Sequence, residues 1–259
     1  EVEALDEPTT LRLRGSSANW EGTVETEVRI VPWVSNLRDS GDGSLRDLVE
    51  SLPALRENPT ISFAPWLVSP EHGVQTIRLE SPIYISEGMR IEAPLGPDDT
   101  PLVRLDGQES TRLLQVGTLE EAADGKRAEV HLSGFELVRG KSAGQGGCVE
   151  NHFDLTLEKS LFEGCVATPT GAGGPSDGIG GGLLSWAGST LHLEKVRFVE
   201  NQAVVGGAVA SFGTTTIEDA YFENNVAIME GGALVLVDLE GSLEFELLDS
   251  KFIENKASQ

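Results

Sequence analysis

The stretch FENNVAIMEGGA, Phe222–Ala233, has the composition of a loop: two adjacent asparagines, a glycine pair and one aromatic residue. It is not alone, because FVENQAVVGGA (Phe198–Ala208) precedes it and FIENKASQ (Phe252–Gln259) closes the chain. Aligned on the aromatic, four segments share one grammar: LEKSLFEGCVA (Leu157–Ala167), LEKVRFVENQA (Leu193–Ala203), IEDAYFENNVA (Ile217–Ala227) and LLDSKFIENKA (Leu247–Ala257). Each has Leu or Ile, then Phe five residues on, Asn or Cys three further, and Ala two further. A fixed internal period outranks any local reading of secondary structure.

The phenylalanines Phe162, Phe198, Phe222 and Phe252 are spaced by 36, 24 and 30 residues, around a base unit of 24. That is shorter than paired-helix repeats of about 33 to 47 residues and fits one coil of a solenoid. A glycine pair and a small or apolar residue recur between copies: Gly146-Gly147 with Cys148, Gly181-Gly182 with Leu183, Gly206-Gly207 with Ala208, and Gly231-Gly232 with Ala233. VHLSGFELVRGKSA (Val130–Ala143) reads as a degenerate earlier turn.

Around each copy the pattern alternates with a period of two. Leu155 and Leu157, Leu191 and Leu193, Thr215 and Ile217, and Phe245 and Leu247 point one way. Thr156, His192, Thr216 and Glu246 point the other. These are strands, and strands recurring once per coil in the same sense must pair in parallel, about 4.8 Å apart. The expected fold class is all-β: a right-handed, single-stranded parallel β-helix, a solenoid, with an N-terminal capping helix. In such a fold Asn201, Asn225 and Asn255 are expected to form an internal amide ladder, and Phe162, Phe198, Phe222 and Phe252 to stack inside. The glycine pairs supply a left-handed backbone or a close approach of strands.

Three regions are expected: residues 1–30, an N-terminal leader or extra cap strand; residues 31–129, the cap and irregular first coils; and residues 130–259, regular coils that continue beyond Gln259. Beginning at Glu1 without a signal peptide, the chain is expected to be a fragment or a processed form. The cap helix is read in GDGSLRDLVESLPAL (Gly41–Leu55). Ser44 stands at the N-cap with Asp47 three residues on, Leu45, Leu48, Val49 and Leu52 share a face, and Pro53 discourages continuation.

The repeat segments GGA and FxxN, as Gly206-Gly207-Ala208 with Phe222 and Asn225 and as Gly231-Gly232-Ala233 with Phe252 and Asn255, resemble those of the polymorphic membrane proteins of chlamydiae. They also resemble many bacterial surface β-helix proteins. SNLRDSGDGSLRDLVESL, with TISF and TIRLESPIYI after it, resembles the opening of large secreted bacterial β-helix proteins. The resemblance implies a right-handed coil, export to the cell surface, and an adhesive or structural passenger role. Two departures stand: Cys165 replaces Asn in the first copy, and no β-barrel translocator is present.

Forty-two acidic against nineteen basic residues give a formal charge of −23, which argues against nucleic-acid binding. The charge suits a solvated extracellular surface, a saline habitat or weak Ca²⁺ association. No apolar run approaches the roughly 20 residues of a membrane span. The two cysteines, Cys148 and Cys165, fall in one coil, and either a disulfide or two buried thiols fits their position.

No catalytic, cofactor or metal residues are assigned. The outward column His131, Thr156, His192, Thr216, Glu246 has no paired carboxylates, and the two histidines lie too far apart to share a metal. DSGDGS (Asp39 and Asp42) and GPDDTP (Gly96–Pro101) read as turns, and GAGGPSDGIGGG (Gly171–Gly182) as the insertion that lengthens one coil and a candidate recognition loop. The expected function is a non-catalytic surface or secreted scaffold, adhesin-like or structural, of a bacterium, outer-membrane associated. Its partner would be a glycan or protein of a host or neighbouring cell. The alternatives are a polysaccharide lyase or glycoside hydrolase of the β-helix type, and a self-associating surface module.

Overall fold

The computed structural model describes residues 9–17, 20–28, 32–54, 57–171, 177–238 and 244–258. Two compact units divide the chain, Glu1–Pro32 and Trp33–Gln259. In the first, Thr9–Ser17 and Trp20–Val28 pair as an antiparallel hairpin.

The second unit is all-β, built from four parallel sheets of eight, seven, five and six strands. One pass shows the order: Glu129–Ser133 lies in the eight-stranded sheet, Phe135–Val138 in the seven-stranded, Lys141–Ala143 in the five-stranded and Val149–Asn151 in the six-stranded. Asp154–Glu158 then returns to the first sheet beside Glu129–Ser133, in parallel, with Leu132 opposite Leu157. Later passes repeat this circuit, so each strand bonds to the pass before it and the pass after it.

The interior is one hydrophobic cluster running the length of the unit. Its columns follow from register. In the seven-stranded sheet Ile77, Leu105, Leu137, Phe162, Phe198, Phe222 and Phe252 are successive partners. The column is aliphatic in the early passes and aromatic from Phe162. The rings stack with centroids 4.7, 5.1 and 4.6 Å apart, the last two pairs within 5° of parallel. Stacked rings at strand spacing match the parallel repeat without offset.

Corners are made by backbone conformations that the sequence does not advertise. Lys159, Lys195, Asp219 and Asp249 recur at one corner, and Arg139, Glu200, Asn224 and Glu254 at the next, all with φ between 46° and 56°. Each left-handed non-glycine residue costs roughly 1–2 kcal/mol. The N–H at each of these corners before the last described pass nonetheless finds the pass beyond, as in Lys159 to the Glu194 carbonyl, Lys195 to Glu218 and Glu200 to Glu223, all at 3.0 Å. The bend thus sits inside the ladder and offsets its own strain.

The glycine pair is explained by contact. A Cβ on Gly181 or on Gly207 would lie 2.1 Å from the carbonyl oxygen of Gly207 or Gly232 in the next pass. Register corrects one sequence assignment: Val149, Leu183, Val209 and Leu234 are partners, so the pair equivalent to Gly206-Gly207 is Gly180-Gly181, not Gly181-Gly182. Gly180 carries the left-handed φ of 67° that Gly206 and Gly231 share at 66° and 61°.

The helix Leu45–Ser51 buries Leu45 and Val49 and packs against Ile83–Ile85, the edge strand of the six-stranded sheet. Ser44 Oγ accepts from the Asp47 N–H at 3.2 Å, but the return bond from the Asp47 carboxylate goes to the Gly43 N–H at 2.9 Å, not to Ser44. The Ser44 N–H is already held by the Gly41 carbonyl.

Gly207→Ala is expected to cost several kcal/mol of unfolding free energy, because backbone of the next pass must move. Gly164→Ala, where φ is 63° but nothing lies within 4 Å of the new Cβ, is expected to cost about 1–2 kcal/mol. Urea unfolding of the two variants checks the order.

Candidate functional site

Of the sequence-assigned residues, Phe162, Phe198, Phe222, Asn201, Asn225, Cys148 and Cys165 are buried, while Asn255 is half-buried and Phe252 exposed in the last pass. Asn201 Oδ1 accepts from the Cys165 N–H at 2.9 Å, and Asn201 Nδ2 donates to the Phe162 carbonyl at 3.1 Å and to Asn225 Oδ1 at 2.9 Å. Asn225 repeats the set: Oδ1 accepts from the Asn201 N–H at 3.0 Å, and Nδ2 donates to the Phe198 carbonyl and to Asn255 Oδ1. Asn255 Nδ2 reaches the Phe222 carbonyl at 2.9 Å. Asn201 and Asn225 are wholly buried, and burial raises the cost of breaking such bonds. The structure joins Cys148 and Cys165 in a disulfide, both sulfurs buried. It ties the strand after the glycine pair to the asparagine corner across one pass.

A second polar set inside the unit escaped the sequence reading. Asn151, Ser185 and Ser211 are inward-facing partners in the six-stranded sheet. Asn151 Nδ2 donates to Ser185 Oγ at 2.9 Å, and Ser211 Oγ meets Thr215 Oγ1 at 2.7 Å. Two hydroxyl residues four apart, Ser185 with Ser189 and Ser211 with Thr215, were the available signal.

On the outer face of the eight-stranded sheet, register places Arg90, His131, Thr156, His192, Thr216 and Glu246 in one column. The expectation of no paired carboxylates holds for this column alone. On one side of it Glu129 faces Asp154, and on the other Glu158, Glu194 and Glu218 are successive partners. Side chains two residues along a strand share its face, so a reading confined to one column misses its flanks.

Arg90, Glu129, His131, Asp154 and Thr156 line a cleft of about 440 Å³ on this face. His131 Nε2 lies 3.5 Å from Glu158 Oε2. Burial pushes the His131 imidazole below its usual range; Glu158 and Glu92 oppose this, and Arg90 and His192 add to it. The cleft therefore combines an acid pair, a guanidinium and an imidazole held toward its neutral form. Such a set can clamp a polar ligand or exchange a proton with one. Among the described residues, no group of three or more His, Cys, Asp or Glu is placed to hold a metal ion.

Beside the six-stranded sheet lies a buried ionic cluster. The Glu150 carboxylate takes Arg112 Nη1 at 2.5 Å, Trp186 Nε1 at 2.9 Å and His152 Nε2 at 3.1 Å. Burial alone would raise the Glu150 carboxyl; the bonds from His152 and Trp186 and the Arg112 charge outweigh it and hold the group below the ordinary carboxylate range. Arg112 also bonds the Gln145 and Gly146 carbonyls, fastening the strand to the glycine turn. The inserted loop after Thr170 lies in part outside the described residues, and Asp177 closes its neck by accepting from the Thr170 and Gly171 N–H groups.

The comparisons with known proteins found no family model that matches the chain and no curated protein that matches it.

Asn225→Ala is expected to cost roughly 2–6 kcal/mol, because it leaves the buried Asn201 N–H and Phe198 carbonyl without partners. Urea unfolding measures it. A second expectation concerns pH. The folded state holds His131 below its unfolded value of about 6.5, so unfolding takes up a proton and stability is lost progressively as pH falls below that value. Between pH 7.5 and 5 the wild-type melting temperature should fall further than that of His131→Gln; equal falls would assign the acid sensitivity elsewhere.

Proposed function

We propose that the unit from Trp33 onward is a right-handed, single-stranded parallel β-helix, a solenoid whose N-terminal end the helix Leu45–Ser51 caps. The fixed order in which the chain visits four parallel sheets supports this, together with the single interior they enclose. Right-handed crossovers are the rule for parallel strands of L-residues. The regular coils carry the GGA and FxxN repeats that resemble chlamydial polymorphic membrane proteins and other bacterial surface β-helix proteins.

Its function, on this reading, is that of a non-catalytic scaffold, secreted or at the bacterial surface and outer-membrane associated, which binds a glycan or protein of a host or neighbouring cell. The observation that carries it is the allocation of side chains. The phenylalanine and asparagine columns up to Phe222 and Asn225 and both cysteines are spent inside, while the outer face of the eight-stranded sheet offers polar rows repeated strand by strand. The buried disulfide adds support, because such bonds persist in oxidising compartments. Among the described residues no helix is long and apolar enough to cross a membrane.

A polysaccharide lyase or hydrolase is the second reading, favoured by Glu129 and Asp154 beside Arg90 and His131 in the outward cleft. A self-associating surface module is the third, favoured by the exposed Phe245, Leu248, Phe252 and Ile253 of the last pass.

The immobilised protein is expected to retain cell-surface glycans or proteins saturably and to release no new chain ends from polysaccharides. Chain cleavage that disappears in Asp154→Asn would replace the scaffold reading with the enzymatic one.

A further inference from the structure

The outer face of the seven-stranded sheet carries a groove of about 580 Å³. Its floor is a row of register partners, Glu136, Leu161, Arg197 and Tyr221, one from each of four adjacent strands. At parallel-strand spacing the row is roughly 14 Å long. One wall is the turn at Pro97–Asp99. The other is the left-handed corner that carries Lys159, Lys195 and Asp219.

Among the described residues, all but one of the cations that line the groove have a carboxylate partner, while Asp98 and Asp219 on its walls have no cation. Arg104 holds Glu136 at 2.6 Å, Asp99 holds Lys159 at 3.3 Å, and Glu194 holds Lys195 at 3.7 Å. Arg197 lies exposed with Cζ 5.5 Å from the Tyr221 ring centroid, and among the described residues it makes no ion pair with a carboxylate. Acids outnumber bases by forty-two to nineteen in this chain, so an unpaired guanidinium is the group that acidic surroundings would most readily have neutralised. The ring contact limits its motion, and a guanidinium without a carboxylate partner suits a carboxylate ligand.

The groove does not suit an added peptide strand. Leu161–Glu163, Arg197–Val199 and Tyr221–Glu223 are each paired on both sides, so the floor has no free edge to extend. What it offers is side-chain chemistry: an apolar rest at Leu161, a phenol, and carboxylates on both walls at Asp98 and Asp219. Hydroxyl groups satisfy such carboxylates, and a sugar ring presents an apolar face to Leu161. The net charge of −23 repels an anion at long range, and a Debye length of about 8 Å at physiological salt screens the remote acids; the carboxylates within the groove confine an acidic group to Arg197 and leave the walls to hydroxyls.

We infer that this groove binds a linear acidic oligosaccharide along the direction of strand stacking, with a carboxylate on Arg197. The inference rests on the surface-binding reading and names the ligand class for it.

The test is calorimetry at physiological salt with oligogalacturonate and a neutral galacto-oligosaccharide of equal length. Oligogalacturonate should bind saturably and about tenfold or more tighter than the neutral chain, and Arg197→Ala should remove about tenfold or more of that affinity. Arg197→Lys should restore only part of it, because an ammonium lacks the planar fork. Thermal unfolding of both variants should match wild type, since Arg197 is an exposed strand residue. Equal affinity for the two sugars, or no saturable binding of oligogalacturonate, overturns the inference. So does wild-type affinity in Arg197→Ala. Binding that survives Arg197→Ala but is lost in Asp154→Asn leaves surface binding standing on another face, whereas cleavage of the sugar removes the scaffold reading itself.

Discussion

Translation by one strand is the constraint on which this structure depends. A carboxamide at the corner has to meet both the pass before it and the pass after it, so every pass must bring the same atoms to the same height. Asn225 does this with one side chain, which accepts from the Asn201 backbone and donates to the Phe198 carbonyl and Asn255. Buried amide bonds are costly to leave unmade, so the corner cannot drift by even a fraction of a residue. The phenylalanine stack, the glycine approach and the left-handed corners all assume that fixed rise.

This explains which parts were legible in the sequence. Asn201, Asn225, Asn255 and the four phenylalanines stand out because, in the later passes, the ladder and the stack each repeat one chemical identity. The glycines stand out because a carbonyl from the next pass occupies the place of a Cβ. The earlier passes leave little trace: Ile77, Leu105 and Leu137 fill the same column, but an interior that asks only for an apolar group does not ask for the same one. The corners at Lys159, Lys195 and Glu200 were invisible for a related reason, since cross-pass hydrogen bonds hold a left-handed backbone in residues that do not prefer it.

The outer faces were the least legible. Deciding that Glu129 faces Asp154 requires the register of an early, degenerate pass, whereas Leu161, Arg197 and Tyr221 are aligned by the phenylalanine after each and only the turn at Pro97–Asp99 that walls them was out of sight. The one-residue error in placing the glycine pair near Gly181 shows how three consecutive glycines blur such a register. The outward cleft and groove are therefore properties of the stack and not of any single repeat.

The asparagine ladder also has a sense of direction. Each carboxamide turns its oxygen toward the preceding pass and its amino group toward the following one, so the dipoles of Asn201, Asn225 and Asn255 align head to tail. At the Cys165 end the column meets a backbone donor; at the other end the Asn255 amino group donates back to the Phe222 carbonyl. The column is a polar axis, like a filament with two unlike ends. The direction of the stack is thereby written into the orientation of one side chain per turn.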